Sequence, residues 1–349
     1  MNFEITDDRR MLAETVQRFL ADTYPFEHRT AVAYDAPFHD PAKWAELADL
    51  GIFYALVTEE QGGMGGRGFD IVTLFEELGR ALCPEPILGQ LLAASLLSAP
   101  EPLMDGTRYA LAVSELDAPY DPDDITTTAD ERDGWRLTGR KSVVYGAPTA
   151  EVLLVAAKGP DQVLSLFRVA AKDAEIIGYA MIDGGPAGEV FLEDTPAKLL
   201  TKDAGPALQN ALDLGALALC AEALGAMEIV QATLIDYLNT RKQFGQPIGA
   251  FQVLQHRTID LAIEIEQARS IVILAASAEG GPEFPKRAAQ AKHLVGKIAR
   301  QVSEEVIQMH GGIGLTWEYP LSHYAKRLVM IDHQLGDTDH HLERLMNGL

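Results

Sequence analysis

Cysteine is nearly absent from this chain: Cys83 and Cys220 are the only two in 349 residues. No disulfide framework can be built from them, so packing must hold the fold together. Cys220 sits in the apolar run Ala216–Ala221 and reads as a small core residue. Positive charge is also scarce. Lys and Arg number 29 against 51 Asp and Glu, a net charge of −22 spread along the chain rather than gathered in one tail. Without a basic face there is nothing to follow a phosphate backbone, which argues against nucleic acid as a partner. The same deficit gives weight to every cation placed near an anionic ligand. No run of about 18 apolar residues occurs, so no membrane span is expected. The opening Met1-Asn2-Phe3-Glu4 is acidic and lacks the pattern of a secretory signal. With no address and little cysteine, the expected location is cytoplasmic. No fixed-period repeat is visible, which excludes a solenoid.

What the sequence does contain is a change of period. Up to about residue 104, apolar residues recur at helical spacing. Phe19 and Leu20 close one segment, Trp44, Leu47 and Leu50 line a second, and Ile71, Leu74, Phe75 and Leu78 a third. Thr6-Asp7-Asp8 is a helix start. Gln61–Gly66 holds four glycines in six residues and calls for unusual backbone angles or a close approach. From about 107 to 200 the period shortens. Tyr109–Ser114, Trp135–Leu137, Val152–Ala156 and Val163–Phe167 read as strands of an antiparallel sheet or barrel, and Asp117–Asp124 as a surface loop. Beyond Pro206 long helices return. Leu212, Ala216, Leu219, Ala223 and Val230 form one stripe, running on to Tyr237 and Leu238. Leu254, Leu261, Ile265, Ala268 and Val272 mark a helix starting near Phe251, and Ala291, Leu294, Ile298 and Val302 a third. Three such helices in succession predict a bundle. The expected fold is α+β: an N-terminal helical domain at 1–105, a central antiparallel β domain at 106–200, and a C-terminal helical bundle at 201–349.

Two turns at helix ends carry the chemistry. In Arg241-Lys242-Gln243-Phe244-Gly245-Gln246-Pro247-Ile248, Gly245 and Pro247 supply a turn, Arg241 a forked cation matched to phosphate, and Phe244 a flat apolar face. Cations at a helix C-terminus also complement the helix dipole, which is the plainer reading. In Gln308-Met309-His310-Gly311-Gly312-Ile313-Gly314, three glycines in four residues let backbone come close to a ligand. The plainer reading there is a helix cap and loop, with His310 structural.

Together the two turns resemble the acyl-CoA dehydrogenase family, in which an Arg-x-x-Phe-Gly turn and a Gln-x-x-Gly-Gly turn bind the FAD of a neighbouring subunit. The match continues through Gly314-Leu315-Thr316-Trp317-Glu318-Tyr319-Pro320. Thr58–Gly63 and Glu76–Gly79 look like the family's N-terminal helical domain, and Val113-Ser114-Glu115 like the strand that meets the flavin ring. The resemblance implies FAD held by Arg241, Phe244, Gln308, Gly311, Gly312, Val113 and Ser114. It also implies an acyl-CoA thioester substrate desaturated between its α and β carbons, an oligomer, and an electron-transfer flavoprotein as electron acceptor. Lys326-Arg327-Leu328 and Gly336–Leu342 are similar to small subunits of paired enzymes such as pimeloyl-CoA dehydrogenase.

The departures from the pattern concern the base. The family takes the α-proton with a glutamate in a Tyr-Glu-Gly-Thr stretch; counted from Gly311-Gly312, that seat falls on Leu335. Some members carry the glutamate in a Leu-Asp-Leu-Glu context, where this chain has Leu212-Asp213-Leu214-Gly215. Asp337, Asp339 and Glu222 are the substitutes to weigh, although Glu222 lies roughly 10 Å along the helix from Gly215. Each also reads as a solvated or cofactor-facing carboxylate. Ser114 keeps the hydroxyl of the family's threonine, but Leu116-Asp117-Ala118-Pro119 replaces a Gly-Ser-Asp element and Tyr145 stands where threonine is common. The expectation is a base-lacking dehydrogenase subunit that pairs with a related, base-bearing chain. Two alternatives stand beside it: a self-sufficient homo-oligomer with a relocated base, and a non-catalytic scaffold of the same fold.

Overall fold

The computed structural model describes residues 6–348; the opening Met1–Glu4 lies outside the described residues. Among the described residues six α-helices come first: α1 (Asp7–Thr23), α2 (Phe26–Tyr34), α3 (Pro41–Asp49), α4 (Gly68–Ala81), α5 (Ile87–Leu96) and α6 (Glu101–Met104). Seven strands follow: β1 (Tyr109–Ala112), β2 (Thr128–Arg132), β3 (Gly134–Tyr145), β4 (Val152–Lys158), β5 (Leu164–Ala170), β6 (Glu175–Ala180) and β7 (Pro186–Thr201). Then come α7 (Gly205–Thr240), a two-strand ribbon β8 (Lys242–Gln243) and β9 (Gln246–Pro247), α8 (Gln252–Ala278), α9 (Phe284–His310), α10 (Pro320–His333) and α11 (Thr338–Met346). The predicted order of helices, sheet and helices is the observed one.

Local signals explain the boundaries. Thr6 caps α1, its Oγ1 accepting from Arg9 N at 3.4 Å. Asp40 caps α3 through the amides of Ala42 and Lys43, with Pro41 in the first turn. Trp44 and Leu47 are buried as the spacing predicts, whereas Leu50 is 46% exposed because α3 ends before it. The expected close approach in the glycine loop is real: a Cβ on Gly63 would overlap the Val57 carbonyl.

The chain forms two compact units. One contains the chain up to Phe26, Gly68–Cys83 and the chain from Ala216; the other contains Glu27–Arg67 and Pro84–Gly215. In the second unit, β4, β2, β3, β7 and β5 pair in a ring that returns to β4, with β1 and β6 added at the sides. The sheet is mostly antiparallel, but β1 runs parallel to β4, Tyr109 facing Val152. Leu137, Val155, Phe167, Val169 and Leu192 fill its interior, each worth roughly 1.5–3 kcal/mol in buried apolar surface.

In the first unit α8, α9 and α10 pack with α4 and the distal part of α7. Leu261, Ile265, Ala268 and Val272 of α8, with Ala291, Ile298 and Val302 of α9, are buried as the stripes predict. The α7 stripe widens to full burial over Ala216–Met227, and Cys220 lies there with its thiol pushed up to about 12 by burial. By length and composition α7 could cross a membrane, but 67% of its most apolar window is buried in the chain itself; it is a core helix. Helices α4 and α7 meet backbone to backbone. A Cβ on Gly79 would overlap the Glu222 carbonyl, and one on Gly225 the Glu76 carbonyl. Beside this crossing, Arg80 and Arg269 bind Glu76, Glu77 and Glu228 in one network.

Candidate functional site

At the end of α7 the Arg241 amide donates to the Tyr237 carbonyl at 2.8 Å, and the Ile248 amide closes onto the Arg241 carbonyl at 2.8 Å. Between them β8 and β9 form a hairpin with Gln243 opposite Gln246. Its two tip residues, Phe244 and Gly245, have φ of 54° and 83°. Such a turn favours Asn-Gly, and a left-handed aromatic costs about 1–2 kcal/mol. Phe244 is nonetheless 91% exposed, and Phe251 meets it edge-on at 6.0 Å. Packing within this chain does not account for an aromatic there. Arg241 is exposed too, and no ion pair to it occurs among the described residues.

The second turn starts where α9 stops. Gly311 has φ 68° and ψ −146°, a conformation that suits glycine. A Cβ on Gly311 or Gly312 would meet nothing within 4 Å, so neither glycine is needed for packing against its own chain. Gln308 is exposed, as are Ile313, Leu315 and Trp317 after it. The structure brings the two turns together. The Tyr237 hydroxyl donates to the His310 carbonyl at 3.1 Å, and the two rings stack at 4.4 Å with 24° between planes. His310 is buried and its Nδ1 pairs with the Val306 carbonyl at 2.8 Å.

Val113 and Ser114 belong to the second unit. The Ser142 amide donates to the Ser114 carbonyl at 2.9 Å, and Lys141 Nζ to the Val113 carbonyl at 2.9 Å. Lys141 also pairs with Glu115 Oε1 at 2.8 Å. Glu115 further accepts from the amide and hydroxyl of both Thr126 and Thr127. Burial pushes the Glu115 carboxyl up, but the bonds from Lys141 and Thr127 outweigh it and hold it at about 2. Burial brings the Lys141 ammonium down to about 8 against the pull of Glu115. Lys141 escaped the sequence reading; a lone lysine in the β3 alternation was its only signal.

Between α10 and α11, Leu335 (φ 55°) and Gly336 (φ 97°) form a left-handed turn. Buried Lys292 donates to the carbonyls of Asp332 (2.8 Å) and Gly336 (2.6 Å), and His341 Nε2 pairs with the Leu335 carbonyl at 3.1 Å. Asp337 caps α11 by accepting from the His340 amide at 2.8 Å. Asp339 is exposed. Both oxygens of Glu222 accept from one edge of the Arg327 guanidinium, from Nε at 2.6 Å and Nη2 at 2.7 Å.

Comparison with known proteins decides what these features belong to. Residues 6–103 match the model of the acyl-CoA dehydrogenase N-terminal domain, and residues 205–349 that of the C-terminal domain. Acyl-CoA dehydrogenase IpdE2 of Mycobacterium tuberculosis is 32% identical over 92% of this chain and 91% of its own. The chain belongs to the acyl-CoA dehydrogenase family. A solved variant of the Tcur3481–Tcur3483 steroid ACAD superposes with TM-score 0.88 and 31% identity, covering 98% of this chain and 97% of that one. The ChsE4–ChsE5 complex of Mycobacterium tuberculosis shares the fold at TM-score 0.89 and 24% identity, over 99% and 98% of the two chains.

Acyl-CoA dehydrogenases are FAD-dependent oxidoreductases, and the residues here fit that cofactor. A free guanidinium fork suits a pyrophosphate, the projecting aromatic suits a ring, and the open glycines allow backbone to approach. The base is another matter. Neither Leu335 nor Gly215, the two positions where the sequence resemblance looks for a base, carries a side chain that can take a proton. Among the substitutes, Asp337 is used as a cap, Asp339 faces solvent, and Glu222 is held by a cation.

Proposed function

We propose that this chain is the base-lacking subunit of a heteromeric acyl-CoA dehydrogenase. The observation that carries the reading is Phe244: a left-handed, almost fully exposed aromatic beside Arg241 and two open glycines. This outward arrangement suits a cofactor bound mainly by another subunit. Arg241 and Gln308 would hold the pyrophosphate side, Phe244 would cover a ring, and Gly311 and Gly312 would admit the ligand to the backbone. Val113 and Ser114 would line a flavin ring bound to this chain, Ser114 with its hydroxyl. FAD, when bound, supplies the acceptor for the hydride leaving the β-carbon of the acyl thioester. The α-proton needs a base within hydrogen-bond reach, and the partner subunit supplies it. Two similar structures carry paired names, Tcur3481–Tcur3483 and ChsE4–ChsE5, which supports a two-chain assembly. An electron-transfer flavoprotein then takes the electrons. A steroid-bearing acyl-CoA, the class named for one of these relatives, is the first substrate to offer.

The test is the visible spectrum of the purified chain, alone and after co-expression with a base-bearing dehydrogenase subunit. A colourless chain that turns yellow with its partner supports the reading. A chain that is yellow alone and reduced by an acyl-CoA overturns it in favour of a relocated base. Asp337→Asn then decides whether Asp337 is that base, because unchanged flavin reduction removes it.

A further inference from the structure

Both dinucleotide-facing turns are tied to one residue, the first through its backbone and the second through its side chain. The Tyr237 carbonyl receives the Arg241 amide at 2.8 Å, which sets where the first turn leaves α7. The Tyr237 hydroxyl reaches across to the His310 carbonyl at 3.1 Å. That carbonyl belongs to the peptide joining α9 to Gly311, and the other end of the same peptide is fixed as well, since the Gly311 amide donates to the Ile307 carbonyl. With both ends tied, the peptide plane cannot rotate, and the direction in which Gly311 and Gly312 face is set.

The His310 ring completes the clasp. It stacks on Tyr237 at 4.4 Å and meets Tyr319 at 5.6 Å. Its Nδ1 pairs with the Val306 carbonyl, and buried Nε2 has no partner among the described residues. Burial lowers its pKa. The ring is therefore a neutral, stacked plate with its proton on Nδ1, and the polar work of the clasp falls on the Tyr237 hydroxyl.

We infer that Tyr237 is a positioning residue for the trans dinucleotide site, its hydroxyl and ring locking the Arg241 turn to the Gly311-Gly312 turn so that both meet one ligand together. This rests on reading the two turns as an FAD site. It gives Tyr237 and His310 a role that is neither contact with the reacting atoms nor general stability.

The test compares Tyr237→Phe and Tyr237→Leu with wild type in whichever preparation retains flavin, the chain alone or the co-purified complex. Tyr237→Phe removes only the hydroxyl and should weaken FAD binding to the stripped protein about three- to tenfold, as loss of one hydrogen bond predicts. Tyr237→Leu also removes the stack and should weaken it further. Subunit stoichiometry should not change. Hydrogen exchange is the second readout and needs no flavin. Tyr237→Phe should speed exchange of the Gly311 amide several-fold while amides in the middle of α9 keep the wild-type rate. Uniform acceleration along α9 would mean a merely structural role and overturn the inference. If wild type takes up FAD and Tyr237→Phe binds it equally well, the clasp is wrong and the site stands. If no preparation takes up FAD, the site reading fails and the inference with it.

Discussion

Replacing Lys141 with methionine removes a charge while nearly preserving volume. Lys141 is fully buried, and its ammonium serves two acceptors, the Val113 carbonyl and Glu115 Oε1. In the intact pair the effects oppose each other. Glu115 is stabilised as a carboxylate, down to about 2 from 4.5. Lys141 is destabilised as an ammonium, down to about 8 from 10.5. Both shifts are downward and of similar size, but the first favours a charged form and the second disfavours one, so the whole pair adds little net stability, as buried ion pairs often do. Removing one partner is different. The Glu115 charge stays buried with four neutral donors and no cation, and the Val113 carbonyl loses its bond. Loss of one partner of a buried pair costs about 3–5 kcal/mol. Urea unfolding at pH 7 should therefore show Lys141→Met and Glu115→Gln each strongly destabilised, and the double variant far less so than their sum. The Lys141→Met deficit should shrink as pH falls through the ordinary carboxylate range, because protonation neutralises the stranded charge. A single-variant loss under about 1 kcal/mol, or additive losses in the double-mutant cycle, would refute the reasoning.

Three further outcomes follow from the same structure. Phe244→Gly should keep or raise the unfolding midpoint, since it releases roughly 1–2 kcal/mol of left-handed strain, while lowering flavin occupancy of the assembly; lost stability with normal flavin would reverse the assignment. Gly79→Ala and Gly225→Ala should each cost more than about 2 kcal/mol, because the added methyl meets backbone that cannot move aside; denaturant titration decides, and a neutral alanine would contradict the packing. His341 is pushed down to about 2, by burial first and then by Lys292 and Arg344. The folded chain therefore keeps it neutral while the unfolded chain protonates it near pH 6.5, and stability should fall below that pH by up to ~1.4 kcal/mol per unit. His341→Gln should flatten that slope between pH 6.5 and 5, measured by unfolding across the range.

Periodicity made the fold legible because its signals are local. Ile71, Leu74, Phe75 and Leu78 share one face of α4 whatever surrounds it, and all four are buried. The α7 stripe was too narrow because burial all round depends on neighbours far away in sequence. The parallel pairing of β1 with β4 was likewise hidden, since alternation does not reveal strand direction. At the candidate site, Arg241, Phe244 and the glycines were visible as motifs, but the left-handed tip and the empty space beside Gly311 needed coordinates. Tyr237 left no mark beyond its place four residues before Arg241. Asp337 shows what sequence alone leaves out: there it reads as a substitute base or a solvated carboxylate, and the structure adds its bond to the His340 amide as the cap of α11.

The glycine contact between α4 and α7 bears on how this chain can be cut. Family models divide it into an N-terminal and a C-terminal piece, which invites exchange or separate expression of the pieces. Yet Gly225 is notched to receive the backbone of Glu76, from the N-terminal piece, and Gly79 receives Glu222 in return. A C-terminal piece made alone would expose a groove shaped for one particular helix, bordered by Glu228 and Arg269 without Arg80 between them. A foreign N-terminal piece would fit only if it brought a glycine to the same height on its helix. What must be kept together at this crossing is the pair of helices, not either segment.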